Sequence, residues 1–418
     1  MVTFQVAQST SQAPDDHRKS VRRLGSGALL TTDFPPVLGG IGNYLFNVYR
    51  QFDLRQMMLI APQHPDAERF DSAQDYSVER FRPAFDVPGI RGAWQVWRMY
   101  GEAEKLVKQN WNLVLHCGHV NAAVAARKLK RRYGTPYLLW THALEIMDEW
   151  LRAASIFPAL LNADLVITNS EFTRAFVASA GVPQSRIVKI RPGANPTHFR
   201  PGLDCRELAR RLGVFGRTTL LTVSRIVKAN RYKGHDVVLR ALATVKRAVP
   251  DVAYVIAGEG DDLDYLDRLA RECGVRENVV FAGRVSDEEL PLLYNACDAF
   301  IMCSREDRSR RGILAEGFGL ALLEASACGK PVIAGRSGGA PDAVQDGLSG
   351  LLVNPVDSEA VAAAIIKVLQ EPGLANAMGG NGRKWVETEM NWTRAADEFE
   401  QAMKKFFPPV FSGGKEAV

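Results

Sequence analysis

Short apolar runs alternate with amphipathic stretches along nearly the whole chain. Ala28 to Thr32, Pro136 to Trp140, Asp164 to Thr168, Thr219 to Ser224, Ala253 to Ala257, Asn278 to Ala282 and Ala299 to Cys303 read as strands. Helical spacing follows several of them, as in Tyr44, Leu45, Val48 and Tyr49. Repeated β/α alternation in both halves predicts an α/β chain with two doubly wound parallel sheets facing one cleft. Residues 1–24 read as a disordered tail, 25–196 as a first domain and 203–387 as a second. Between them, Arg191 to Gly202 carries three prolines and two glycines and reads as the interdomain connection.

Size and composition agree with two units, since 418 residues with 46% hydrophobic content exceed one core of common size. The excess of 52 Lys+Arg over 47 Asp+Glu gives +5, which suits phosphorylated ligands or an anionic membrane and does not imply nucleic acid. Six scattered cysteines without a C-x-x-C pair or zinc spacing point to a reducing compartment and against a structural metal. No stretch offers eighteen uninterrupted apolar residues, and the first twenty lack a signal-peptide core, so a cytoplasmic protein is expected, with peripheral attachment to the inner membrane face as an extension.

The candidate chemistry centres on Glu316-Gly317-Phe318-Gly319-Leu320 and Glu324. Two glycines just before an apolar helical run let backbone N–H groups approach an anion at the positive end of a helix. A carboxylate eight residues beyond Glu316 would lie roughly 12 Å along a helix axis, comparable to the sugar-to-ribose distance of a sugar nucleotide, so Glu324 is read as the acid that binds the ribose hydroxyls and Glu316 as the one near the reacting sugar. Arg225 after one strand and Lys233 opening the next helix are placed to clamp a diphosphate, with Lys228 and Arg231 competing for the lysine's role. Gly39 and Gly40 form a second Gly-rich loop, but Leu45 takes the third glycine position of a dinucleotide fingerprint. His142 follows a buried strand, where open sheets place ligands. Asp262-Leu263-Asp264 has a metal-binding D-x-D spacing, although helix-start acids explain it without a metal. Trp94, Trp97 and Tyr100, with Arg91 and Arg98, read first as buried aromatics and alternatively as an interfacial helix on lipid headgroups. The basic run Arg127 to Arg132 closes a helix, where cations suit the C-terminal dipole and a solvated face explains them, and it is alternatively a candidate membrane or acceptor contact.

Taken together, Glu316 to Glu324, the strand and Ser337-Gly338-Gly339-Ala340-Pro341-Asp342 loop after it, Phe34-Pro35-Pro36…Gly39-Gly40, and Lys233-Gly234 resemble the retaining glycosyltransferases of family 4, which have the GT-B fold. The resemblance runs from about Leu29 to Trp392 and implies that the helix from Trp392 to Phe407, within a C-terminal segment 388–418, returns to the first domain. It also implies a donor site of Gly39, Gly40, Arg225, Lys233, Val285, Asp287, Gly317, Phe318, Gly319, Leu320 and Glu324, with His142, Glu316, Arg225 and Lys233 at the reacting centre. The implied reaction moves a hexose from a nucleotide sugar to a glycan or lipid acceptor by same-face displacement, without a protein nucleophile, metal or cofactor. GDP-mannose is the expected donor, with Asp287 read as the acceptor for guanine's N–H groups; a UDP-sugar enzyme of the same fold and a non-catalytic nucleotide-sugar binder are the alternatives.

Overall fold

A computed structural model of the protein describes residues 22–36, 39–82, 90–110, 112–147, 155–309 and 312–408. Strands β1 (Gly27–Leu30), β2 (Met57–Pro62), β3 (Ser77–Phe81), β4 (Val114–Cys117), β5 (Tyr137–Thr141), β6 (Leu165–Thr168) and β7 (Ile187–Lys189) form one sheet in the order β3-β2-β1-β4-β5-β6-β7. All of its neighbours pair in parallel. The second sheet uses β8 (Thr219–Val223), β9 (Ala253–Ala257), β10 (Val279–Gly283) and β11 (Ala299–Met302). A hairpin of β12 (Asp307–Ser309) and β13 (Gly312–Leu314) follows, then β14 (Val332–Gly335) and β15 (Gly350–Val353) complete that sheet. Its parallel order is β10-β9-β8-β11-β14-β15.

Helices cover both faces of a parallel sheet, so its central strands bury side chains in both directions, and β1, β4, β5, β6, β9, β11 and β14 are buried along their whole length. That is why they read as uninterrupted apolar runs. In each sheet the first strand lies between the second and a later one, β1 between β2 and β4 and β8 between β9 and β11. Chain order reverses there, and loops leaving the carboxyl ends diverge to open a crevice.

The helix Trp392–Phe406 packs into the first domain's core. Asn391 caps it by accepting from Arg394 N–H at 3.0 Å, and Phe399 packs on Tyr49, Phe52 and Trp140. The connection between domains is fixed against it: Ala194 N–H donates to Met390 O at 2.9 Å, and a Cβ on Gly193 would lie 2.4 Å from the Asn391 carbonyl carbon.

Three expectations change. Leu24 is buried in the first domain's core and Arg22 pairs with Asp397, so the end of the expected tail is packed; residues 1–21 lie outside the described residues. Arg308-Ser309-Arg310-Arg311, which reads from the sequence as an Arg-rich loop, begins in the β12–β13 hairpin; Arg310 and Arg311 lie outside the described residues, and Ile313 on the hairpin packs against the first domain's core. Trp94 and Trp97 are 38% and 59% exposed and stack 5.0 Å apart. On the helix Ile90–Gln109 the inward stripe is filled by Met99, Ala103 and Val107, and the 3.6-residue period turns both tryptophans away from it.

Candidate functional site

The donor-side elements assemble at the carboxyl edge of the second sheet. Arg225 lies exposed two residues beyond β8. A tight 3-10 turn, Lys228–Lys233, then leads to Gly234 at φ 79°, where a Cβ would sit 2.0 Å from Cys303 O; only glycine lets this turn pack beside the end of β11. That packing delivers Lys233 Nζ to Glu316 Oε2 at 2.7 Å, with the two side chains only 15% and 14% exposed. Burial alone would lower the Lys233 pKa, but the Glu316 carboxylate outweighs it and the net shift is upward, so the ammonium is kept charged. Of its competitors, Arg231 is committed to Asp262 through two hydrogen bonds of 2.7 and 2.6 Å and lies over the Tyr265 ring. Lys228 is exposed, which leaves Lys233 as the partner of Glu316. The same Arg231 contact explains Asp262 of the D-x-D pair. Among the described residues no group of three or more His, Cys, Asp or Glu side chains is arranged to hold a metal ion.

Glu316 stands on the loop between β13 and the helix Leu320–Ala327 rather than on the helix, so the eight-residue separation from Glu324 is not a helical rise along its whole length. Phe318 is buried in the second domain's core, which restricts its ligand contact to the backbone, while Gly319 at φ 95° turns the chain into the helix. Leu320 packs partly against the first domain's core. Val285 is half-buried against the second domain's own core and Asp287 is exposed. Glu324 accepts a hydrogen bond from Tyr294 Oη at 2.7 Å. Burial pushes its pKa up to about 7, the tyrosine opposes that shift, and the Asp287 charge adds to it.

On the other side of the cleft, Gly39 and Gly40 start the helix Gly40–Tyr49 beyond β1. Gly39 is extended and a Cβ on Gly40 would meet nothing within 4 Å, so neither glycine is required by the surrounding chain and the space beside them is open. His142 follows β5, is 8% exposed and packs edge-on against Tyr44. Burial lowers its pKa to about 3, so the ring is neutral; a hydrogen bond of 3.2 Å to Gly118 O places the proton on Nε2 and leaves Nδ1 as an acceptor. His142 N–H donates to Glu145 Oε1 at 2.5 Å, and Ala143 between them is held at φ 96°, a left-handed conformation that is costly for alanine.

The two sides touch. A Cβ on Gly317 would lie 2.2 Å from His142 O, and one on Gly339 would lie 2.9 Å from Ser170 Oγ. Beside them, Asp342 accepts from Glu171 N–H at 2.8 Å and from Lys189 Nζ at 3.0 Å, linking the Gly-Gly loop to the first domain. The structure therefore brings together Lys233, Glu316, Gly317 and the His142 turn, with the Arg225 charge near Lys233, and separately joins Glu324 to Tyr294 with the Asp287 charge nearby. It does not tie Gly39 or Gly40 to either group. Thr173 and Arg174, which after the strand Asp164 to Thr168 read from the sequence as candidate ligand contacts, are otherwise engaged: Thr173 is buried on Asn169 and Arg174 pairs with Glu171 and Gln184. Sequence reasoning missed Glu145, Tyr294 and the Asp342–Lys189 pair. Glu145, three residues after His142 and opening a helical turn, has the spacing of a reciprocal cap and was legible; the others join distant segments and carried no local signal.

Two raised carboxylates give a pH dependence with a definite sign. Glu145 and Glu324 are both pushed up to about 7, chiefly by burial. Their contribution to the ligand-free fold is fully present below the unfolded carboxylate pKa and is lost as pH rises through about 7. Thermal unfolding of Glu324→Gln and wild type across pH 4.5 to 8 checks this: the Gln variant is expected to lose part of the wild-type decline, and parallel curves would refute it.

Comparison with known proteins now has a geometry to meet. Residues 38–198 match the model described as Glycosyltransferase Family 4, and residues 210–385 match Glycosyl transferases group 1. The chain is 35% identical over 377 residues to the GDP-mannose-dependent alpha-(1-6)-phosphatidylinositol monomannoside mannosyltransferase of Mycolicibacterium smegmatis, covering 88% of this chain and 96% of that one. A monoacylated phosphatidylinositol monomannoside mannosyltransferase of Corynebacterium glutamicum is 29% identical, covering 87% and 94%. Among solved structures, HepE of Anabaena with UDP and glucose aligns with a TM-score of 0.73 at 20% identity, covering 91% of this chain and all of that one. Sucrose-phosphate synthase of Thermosynechococcus elongatus also gives 0.73, at 22% identity, covering 92% and 99%. Two parallel-sheet domains, the donor-side cluster at their junction and these likenesses together establish that the chain belongs to glycosyltransferase family 4 and has the GT-B fold.

Proposed function

We propose that the protein is a retaining, metal-independent mannosyltransferase that uses GDP-mannose and acts on the sugar headgroup of a phosphatidylinositol-type glycolipid. The observation that carries the donor and acceptor classes is the likeness to the Mycolicibacterium enzyme over nearly its full length. The chemistry is supported by the Lys233–Glu316 pair beside Arg225 and the Gly317–Gly319 backbone. In this reading the diphosphate draws Lys233 and Arg225 onto its oxygens, so that charge developing on the leaving group is met by fixed cations and helix N–H groups. The acceptor oxygen forms its bond to the anomeric carbon on the face from which the diphosphate leaves, and its proton passes to a departing phosphate oxygen. Glu316 and neutral His142 orient the sugar rather than attack it.

Asp287 is exposed, so desolvation of its carboxylate would come from the base that covers it. Guanine repays that desolvation with two N–H donors and uracil does not repay it in the same way. GDP is expected to raise the melting temperature more than UDP at equal concentration, and Asp287→Ala to erase the difference. Stronger stabilisation of wild type by UDP would overturn the GDP-mannose assignment, and transfer from GDP-mannose to a phosphatidylinositol mannoside tests the acceptor directly.

Contact with an anionic membrane belongs to the same reading. Exposed Trp94 and Trp97, with Arg98 over the Trp97 ring and exposed Lys128 and Arg131 on the adjoining helix, fit headgroup depth. No helix among the described residues is long and apolar enough to cross a membrane. The double variant Trp94→Ala, Trp97→Ala is expected to bind anionic vesicles severalfold more weakly with GDP affinity unchanged; undiminished sedimentation with vesicles would exclude this face.

A further inference from the structure

The second-last residue of the helix Leu290–Asn295 is Tyr294, a fully buried side chain. Its ring is packed by Phe199 and Phe300, each with its centroid 5.7 Å away. The hydroxyl donates to Glu324 Oε2 at 2.7 Å. Burial, together with the neighbouring Glu324 charge, raises the phenol's pKa well above its ordinary value, so it stays a donor at working pH. The helix itself is anchored: Asn295 Nδ2 donates to Arg200 O at 2.9 Å on the interdomain connection, and the N–H of Leu203, just beyond that connection, donates to Asn295 Oδ1 at 3.3 Å.

A glutamate has three side-chain torsions, and a carboxylate reads a vicinal diol only when its plane is fixed. The charge of Asp287, on the loop after β10, opposes ionisation of Glu324. The Tyr294 hydroxyl is the attractive contact that offsets this effect and holds one oxygen in place. A carboxylate offers about four acceptor positions, so the tyrosine leaves Oε1 and the rest of Oε2 for a ligand.

We propose that Tyr294 is a positioning residue for the donor nucleotide, aligning Glu324 so that it accepts from both ribose hydroxyls at once. This rests on the reading of Glu324 as the ribose-binding acid. Tyr294→Phe is a mild test because it keeps the packed ring and removes one oxygen.

Calorimetric affinities for GDP and UDP, each beside its 2′,3′-dideoxy counterpart, separate the two claims. Wild type is expected to prefer each ribose form, and Tyr294→Phe to weaken the ribose forms about three- to tenfold while leaving the dideoxy forms unchanged. At saturating donor kcat should stay near wild type while donor KM rises. In a Glu324→Gln background, Tyr294→Phe should add nothing. If wild type does not discriminate ribose from dideoxyribose, the ribose reading of Glu324 fails and takes this inference with it. If wild type discriminates but Tyr294→Phe weakens both forms equally, or neither, the ribose reading stands and Tyr294 is only a core residue.

Discussion

Lys233→Ala is expected to lower kcat/KM for transfer by about 2 to 4 kcal/mol, roughly 30- to 1,000-fold, the range found for groups that meet charge developing in a transition state. The structure adds a reason the loss should be large. Lys233 already neutralises Glu316 at 2.7 Å in a site where both are mostly buried, so its removal withdraws a cation from the diphosphate and also leaves an unpaired carboxylate facing it. Glu316→Gln in the Lys233→Ala background should therefore recover part of the donor affinity, although it cannot restore the rate. Steady-state kinetics on the single and double variants decide this. A single variant within twofold of wild type would remove Lys233 from the reacting centre, and a double variant that binds donor no better than the single would dissolve the coupling.

A second large effect is expected from one methyl group. In Gly317→Ala the new Cβ would have to occupy space 2.2 Å from the His142 carbonyl oxygen, a backbone atom on a turn pinned by Glu145 and unable to swing away like a flexible side chain. The contact must open, which separates Glu316 from the His142 turn. A displacement of about 1 Å at reacting groups costs on the order of a hundredfold in rate. GDP affinity should change much less, because Arg225, Lys233 and Glu324 all lie on the second domain. Small-angle scattering should register a more open particle. Wild-type kcat in Gly317→Ala would show that the closed contact is not needed for turnover.

The strands read from the sequence match β1, β5, β6 and β8 to β11 to within a few residues, because a parallel strand covered on both faces must be apolar throughout and that pattern survives in the sequence without reference to its neighbours; β2, β3, β4 and β7 were not read. A local rule also reads Ser170 as a helix cap from the sequence, and its Oγ accepts from Thr173 N–H at 3.2 Å. The tryptophans escaped the same reasoning. Composition favours burying Trp94 and Trp97, but the helix had already committed Met99, Ala103 and Val107 to the core.

What the sequence determined by itself was the class of chain, the β/α alternation and the residue types gathered at strand ends, since these depend on periodicity and on backbone preferences within a few residues. What the tertiary structure decided was pairing. Lys233 and Glu316 are 83 positions apart, and beyond the resemblance of Lys233-Gly234 to the family motif nothing local separates Lys233 from Lys228 or Arg231 until Asp262 is seen to hold one competitor. The ionisation of Glu324 depends on its burial and on Tyr294 and Asp287 from other elements, and the closure of the cleft depends on Asp342 reaching Lys189 across 153 residues. Charge and hydrogen-bond energies are set by distance and desolvation in space, and neither is defined until the two sheets have been folded against each other.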